Sequence, residues 1–147
     1  MRLHLNEVVC YAGADYLVEG LITYRLAGRK LVLARLVDRK RVLWLEPLMR
    51  DIDERVLFLQ EVSDLDMSTP PPANILYNGR TYLPAFSGAA EVTVTGSTPG
   101  RASGTCGLWR YRAAGDQFLQ IEMWPEGVIV LAGPSAHHGM LQILPVK

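Results

Sequence analysis

Hydrophobic positions in this chain recur at every second residue over short stretches, the period of an extended strand. Glu91-Val92-Thr93-Val94-Thr95 is the clearest case. Its strict alternation sends Val92 and Val94 to one face and the polar side chains to the other. Leu21 to Tyr24, Leu31 to Val37, Leu108 to Arg112 and Phe118 to Met123 are short runs of the same kind. They are rich in β-branched and aromatic residues and are separated by glycine and proline clusters, as in a sandwich or barrel. One segment competes: between Pro47 and Gln60, the residues Leu48, Ile52, Val56 and Leu59 fall on a helical stripe.

A repeat decides that segment. Tyr11-Ala12-Gly13-Ala14-Asp15-Tyr16-Leu17 matches Tyr77-Asn78-Gly79-Arg80-Thr81-Tyr82-Leu83 in Tyr, Gly, Tyr and Leu at one constant offset. Asn78-Gly79 is a strong hairpin signal, because both central residues of a type I′ turn need positive φ; Ala12-Gly13 is a weaker version. Leu43-Trp44-Leu45-Glu46 resembles Leu119-Gln120-Ile121-Glu122, and Val56 to Leu59 resembles Val128 to Leu131, in the same order. By that match, residues 47–60 hold a loop and then a strand. The chain is therefore expected to be one all-β, mainly antiparallel domain over 1–147. It divides into two half-repeats, 1–66 and 73–147, packed as a sandwich or as tandem small barrels. The proline-rich crossing at 67–72 joins them, since three prolines offer a sheet no backbone donors.

Composition narrows the class. Of 147 residues, 49% are hydrophobic and 20% charged, the balance of a globular chain. Fifteen basic side chains cancel fifteen acidic ones, so no broad positive field exists for nucleic acid, and none is expected as a partner. No run approaches the ~20 apolar residues of a membrane span. Asn6, Glu7 and Asp15 interrupt the N-terminus where a signal peptide would be apolar, so a cytoplasmic location is expected. Cys10 and Cys106 form no CxxC pair and are expected as small buried hydrophobes.

Candidate chemistry is sparse. In Trp109-Arg110-Tyr111-Arg112 alternation separates aromatics from arginines, which reads as core aromatics behind solvated arginines. The stretch from Gly96 to Thr105 lacks the spacing of a phosphate-binding loop and is followed by a strand, so it reads as a flexible connection with Arg101 its one charge. His137 and His138 are adjacent and point apart on an extended chain, so no metal is expected there. Glu46 and Glu122 end matching strands; a twofold relation between the halves would bring them together and raise one pKa. Basic residues gather between Arg25 and Arg41 and acidic ones between Arg50 and Asp66, blocks that could attract each other or a charged partner.

The Tyr-x-Gly-x-x-Tyr hairpins, Ser87-Gly88-Ala89-Ala90, Trp109-Arg110-Tyr111 and Glu122-Met123-Trp124, in this order, resemble a widespread bacterial family known as a domain of unknown function. The likeness spans nearly the whole chain, although Leu31 to Leu36 lacks the tryptophan and acidic-aromatic pair of that pattern. It implies a fold, and a gene context beside phage-shock-protein-A-like membrane-stress proteins and spermidine-synthase-like enzymes. Three functions are carried forward. The first is a non-enzymatic binding or scaffold module in such a stress or polyamine-linked system, docking another protein through aromatic surface or an open strand edge. The second is a small-ligand protein, cationic ligands included, with the site between the halves. The third and weakest is an enzyme using Glu46 and Glu122. No catalytic residue, cofactor or metal is assigned, and self-association stays open. The candidate contacts are Trp44, Glu46, Trp109, Tyr111, Glu122 and Trp124.

Overall fold

The computed structural model describes residues 2–39, 41–48 and 55–146. Among them eleven strands follow one another: β1 (Val8–Tyr11), β2 (Ala14–Leu26), β3 (Arg29–Asp38), β4 (Arg41–Pro47), β5 (Arg55–Glu61), β6 (Ile75–Tyr77), β7 (Arg80–Gly96), β8 (Gly104–Ala113), β9 (Gln117–Trp124), β10 (Gly127–His137) and β11 (Gln142–Leu144). There is no α-helix among the described residues. The strand expected in the second part of 47–60 is β5, while residues 49–54, where the preceding loop was expected, lie outside the described residues. The hairpin signals hold: Asn78 and Gly79 have φ of 56° and 74°, and Ala12 and Gly13 have 50° and 79°.

All pairings are antiparallel, as the alternation predicts. The sheet runs β2-β3-β4-β5-β10-β9-β8-β7, and β7 pairs back with β2, closing an eight-stranded barrel. Both halves contribute four strands, so they close one barrel together. The two seams, β2 with β7 and β5 with β10, each join strands that hold the same place in their own half. One bulge interrupts the long strand of each half, at Glu19 in β2 and Ala85 in β7. These residues stand as far apart as Tyr11 and Tyr77 do. Each bulge reverses which alternate residues face inward. Thus Tyr16 and Val18 pack outside the barrel, whereas Ile22 and Tyr24, on the same strand, pack inside.

Three apolar layers result. The interior holds Ile22, Leu33, Trp44, Leu57, Leu108 and Leu131, among others. The outer face of β3, β4 and β5 is covered by β1, β11 and the N-terminal segment, with Val9, Leu36, Leu45 and Phe58 at its centre. The outer face of β8, β9 and β10 lies beneath β6 and the crossing segment, where Val62, Leu65 and Met67 pack on Tyr111, Leu119 and Ile121. Cys106 is buried, Cys10 is half-buried, and neither is bonded to the other. Among the described residues no helix is long and apolar enough to cross a membrane.

Candidate functional site

A chain of polar side chains runs through the barrel. The Arg110 guanidinium donates to Glu46 at 2.5 and 3.4 Å and to the Gln120 side-chain oxygen, its Nε at 3.1 Å. Gln120 Nε2 donates to Glu122 at 2.8 Å. Glu122 also accepts from Tyr24 Oη at 2.9 Å, from Trp124 Nε1 at 3.0 Å, and from Arg101 at 3.1 and 3.3 Å. Two carboxylates and two guanidinium groups cancel, and every charge has a partner, the condition under which ions tolerate burial. Burial, and then the Glu122 carboxylate, push the Tyr24 hydroxyl well above its usual pKa. Burial opposes the charge of Arg101, yet Glu122 and Tyr24 more than restore it and raise its pKa. Burial, and then Glu122, push the Cys106 thiol up to about 12, which leaves it a hydrophobe and not a nucleophile.

The two ends of the barrel differ. At one end residues 97–103, between β7 and β8, fold inward as a plug. Ser97 N–H donates to the Glu19 carbonyl at 2.8 Å, and Thr98 and Arg101 are buried. Arg101 reaches the centre, its guanidinium 4.4 Å from the Trp44 ring. The corresponding connection of the first half, between β2 and β3, is only the Ala27-Gly28 turn, too short to plug anything. The end it serves is open. There two guanidinium groups approach the Phe86 ring, Arg29 at 4.4 Å and Arg110 at 5.5 Å, and Phe118 faces Arg112 at 5.3 Å. Glu46 and Arg110 form the floor of a concavity of about 1610 Å³ that continues onto the outer faces of β2 and β7, past Thr23 and Thr93.

Charge at this mouth is one-sided among the described residues. Of these, Arg2, Arg29, Lys30, Arg110 and Arg112 line it against Glu46. Arg110 is neutralised by Glu46, and Arg112 pairs with Asp116 at 2.9 Å. Among the described residues Arg29 and Lys30 have no acidic partner, and both are exposed.

The sequence-derived candidates fall in three places. Glu46 lines the open mouth. Trp44, Glu122 and Trp124 belong to the interior on the plugged side. Trp109 and Tyr111 face the outer layer, where Tyr111 donates to the Pro72 carbonyl at 2.8 Å beneath the crossing segment. Glu46 and Glu122 enter one network, but Arg110 and Gln120 stand between them, so the direct carboxylate pair anticipated from the repeat is absent. Two expectations are corrected. Arg110 is not solvated: it shares the inward face of β8 with Cys106 and Leu108 and is only 3% exposed. The 97–103 connection is not an open loop, because the Arg101–Glu122 pair draws it into the barrel. Arg29, Phe86 and Phe118 were missed. They lie on three different strands and form no local motif; the basic block from Arg25 to Arg41 was the one signal that touched them.

No curated protein and no solved structure matches the chain. A family profile described as a domain of unknown function, DUF4178, matches residues 4–136. With that profile covering most of its length, strand β2 through the end of the barrel included, the chain belongs to the DUF4178 family.

Proposed function

We propose that this protein is a non-enzymatic binding module whose barrel takes a small organic anion at its open end. The observation that carries this reading is the difference between the two ends. One is filled by the chain's own arginine on a buried carboxylate; the other presents Arg29 and Lys30, without an acidic partner among the described residues, beside the rings of Phe86 and Phe118. Small-molecule sites are concavities of mixed apolar and polar lining with a few oriented charges. A planar or apolar body would lie on the rings while a carboxylate or phosphate met the guanidinium groups, for which arginine is the better-shaped donor. A cationic ligand such as a polyamine would face Arg29, Lys30 and Arg112, with Glu46 already engaged by Arg110. The enzymatic use of Glu46 and Glu122 loses its premise, because each carboxylate is held by its own arginine.

The test is a titration of the isotopically labelled protein with phenyl phosphate and, separately, with benzylammonium, followed by amide chemical shifts. Saturable shifts at Arg29, Phe86 and Arg112 with phenyl phosphate alone support the proposal. A response to benzylammonium alone reverses the sign of the ligand. Silence with both returns the function to the protein-docking reading, in a membrane-stress or polyamine-linked setting, which a separate feature of the sheet edge favours.

A further inference from the structure

The two halves end their sheets differently. In the first half the edge strand β1 is covered by β11, in the antiparallel register Val8 to Leu144, Val9 to Ile143 and Cys10 to Gln142. In the second half the corresponding strand is β6, where Ile75, Leu76 and Tyr77 hold the places of Val9, Cys10 and Tyr11. Among the described residues β6 pairs with β7 alone. Its outer edge is the counterpart of an edge that the chain itself fills with a strand.

The backbone there is set for pairing. In a two-residue hairpin the residues flanking the turn exchange both hydrogen bonds, so Tyr77 faces Arg80 and the next residue back, Leu76, turns its amide and carbonyl away from β7. Cys10 does the same on β1, and it is Cys10 that lies opposite Gln142 of β11. The side chains point the same way. Leu76 is 73% exposed and Leu83 54% exposed, the first on β6 and the second on the adjoining strand β7, two positions beyond Thr81, which lies opposite Leu76. Alternation places them on one face of the sheet.

We propose that β6 is an acceptor edge for an extended segment of a partner protein, added antiparallel in the register that β11 uses on β1. The segment carries apolar residues at successive positions: one beside Ile75, where Ile143 lies beside Val9, and its neighbours against Leu76 and Leu83. Strand addition of this kind draws affinity from main-chain bonds and specificity from the alternating side chains. A second copy is the poorer occupant. Its β11 is engaged by its own β1, and a head-to-tail contact between β11 of one copy and β6 of the next would not close but propagate. This inference stands apart from the anion site at the barrel mouth and survives its failure.

The experiment uses the full chain and a fluorescein-labelled peptide of residues 138–147, the segment containing β11, as the probe. Fluorescence anisotropy gives the affinity, and amide shifts give the place. The expected result is saturable binding with shifts centred on Ile75, Leu76 and Thr81. Leu76→Pro, which removes an outward amide and no bond to β7, should weaken binding roughly tenfold or more while leaving the fold intact by circular dichroism. Leu83→Asp, at an exposed position, should weaken it as well. Three results would overturn the proposal: no saturation at roughly 1 mM peptide, unchanged affinity in the Leu76→Pro protein, or shifts centred on Val8 to Cys10, which mean the peptide displaces β11. Concentration-dependent dimerisation abolished by Leu76→Pro would also overturn it, since the second copy would then be the occupant.

Discussion

Arg101 and Glu122 form an ion pair at 3.1 Å with side chains only 1% and 0% exposed, although one belongs to a connecting segment and the other to strand β9. The pair fastens the plug inside the barrel. Removing one partner leaves the other charged and desolvated, which typically costs about 3–5 kcal/mol, whereas replacing both by apolar residues of similar volume is often neutral or better. Arg101→Ala should therefore lower stability by about that amount in urea unfolding, and the Arg101→Met, Glu122→Leu double variant should recover part of it. Recovery will be incomplete because Tyr24, Gln120 and Trp124 lose their acceptor on Glu122. A fully additive double variant would show that the pair is not energetically coupled.

The plug also depends on a missing side chain. A Cβ at Gly20 would sit 2.1 Å from the Ser97 carbonyl oxygen and 2.8 Å from Thr98 Cγ2, both in the plug. The backbone oxygen cannot yield without moving the segment, so Gly20→Ala should lift residues 97–103 and draw Arg101 off Glu122. Loss should exceed the roughly 1 kcal/mol typical of a point substitution. Trp44, which stacks under Arg101, should report it through altered fluorescence. Unchanged Trp44 emission with unchanged stability would mean the segment accommodates the methyl without moving.

Much of this architecture was legible in the chain, and what escaped did so for one reason. The period of two, the type I′ turns and the matched order of strands pointed to an all-β antiparallel fold, and the repeat singled out Glu46 and Glu122. The partners of those carboxylates were missed because alternation was read as polar outward and apolar inward. In β8 both faces are covered. Trp109 and Tyr111 meet the crossing segment, while Cys106, Leu108 and Arg110 meet the interior, so the pattern alone does not say which face is wet. The bulges at Glu19 and Ala85 add a second obstacle, since neither residue marks itself as a bulge and each inverts the parity of the strand beyond it. Arg29, Phe86 and Phe118 meet only through barrel closure, a long-range event with no local signature.

Trp109→Ala tests the outer layer. The ring lies over Gly107, where a Cβ would come within 2.7 Å of it, and packs with Ile121 and Met123 beneath the crossing segment. Because it is half-buried, its truncation should cost somewhat less than the 3–5 kcal/mol of a fully buried aromatic, about 2 kcal/mol. It faces away from the barrel mouth, so affinity for phenyl phosphate should not change. Differential scanning calorimetry beside the same titration separates the two effects, and an unchanged melting temperature would show that the ring does not hold the layer.

Alkaline pH should unfold this protein earlier than its neutral net charge suggests. Cys106 ionises near 9.0 in an unfolded chain but only at about 12 when folded. Tyr24 and Tyr111 are likewise raised from 10.0, chiefly by burial. An acid whose folded pKa is raised keeps its proton in the native state after the unfolded chain has lost it. Its contribution is whole below the unfolded pKa and declines as pH rises toward the folded one. Stability should therefore be level from neutral pH to about 9, then fall by up to roughly 1.4 kcal/mol per pH unit for each such group, Cys106 first and the tyrosines from about 10. Urea midpoints measured across this range give the slope. Cys106→Ala should flatten the segment between pH 9 and 10 and leave the steeper fall above it, which belongs to Tyr24 and Tyr111. An identical profile in that variant would place the thiol in contact with water and contradict its position inside the barrel.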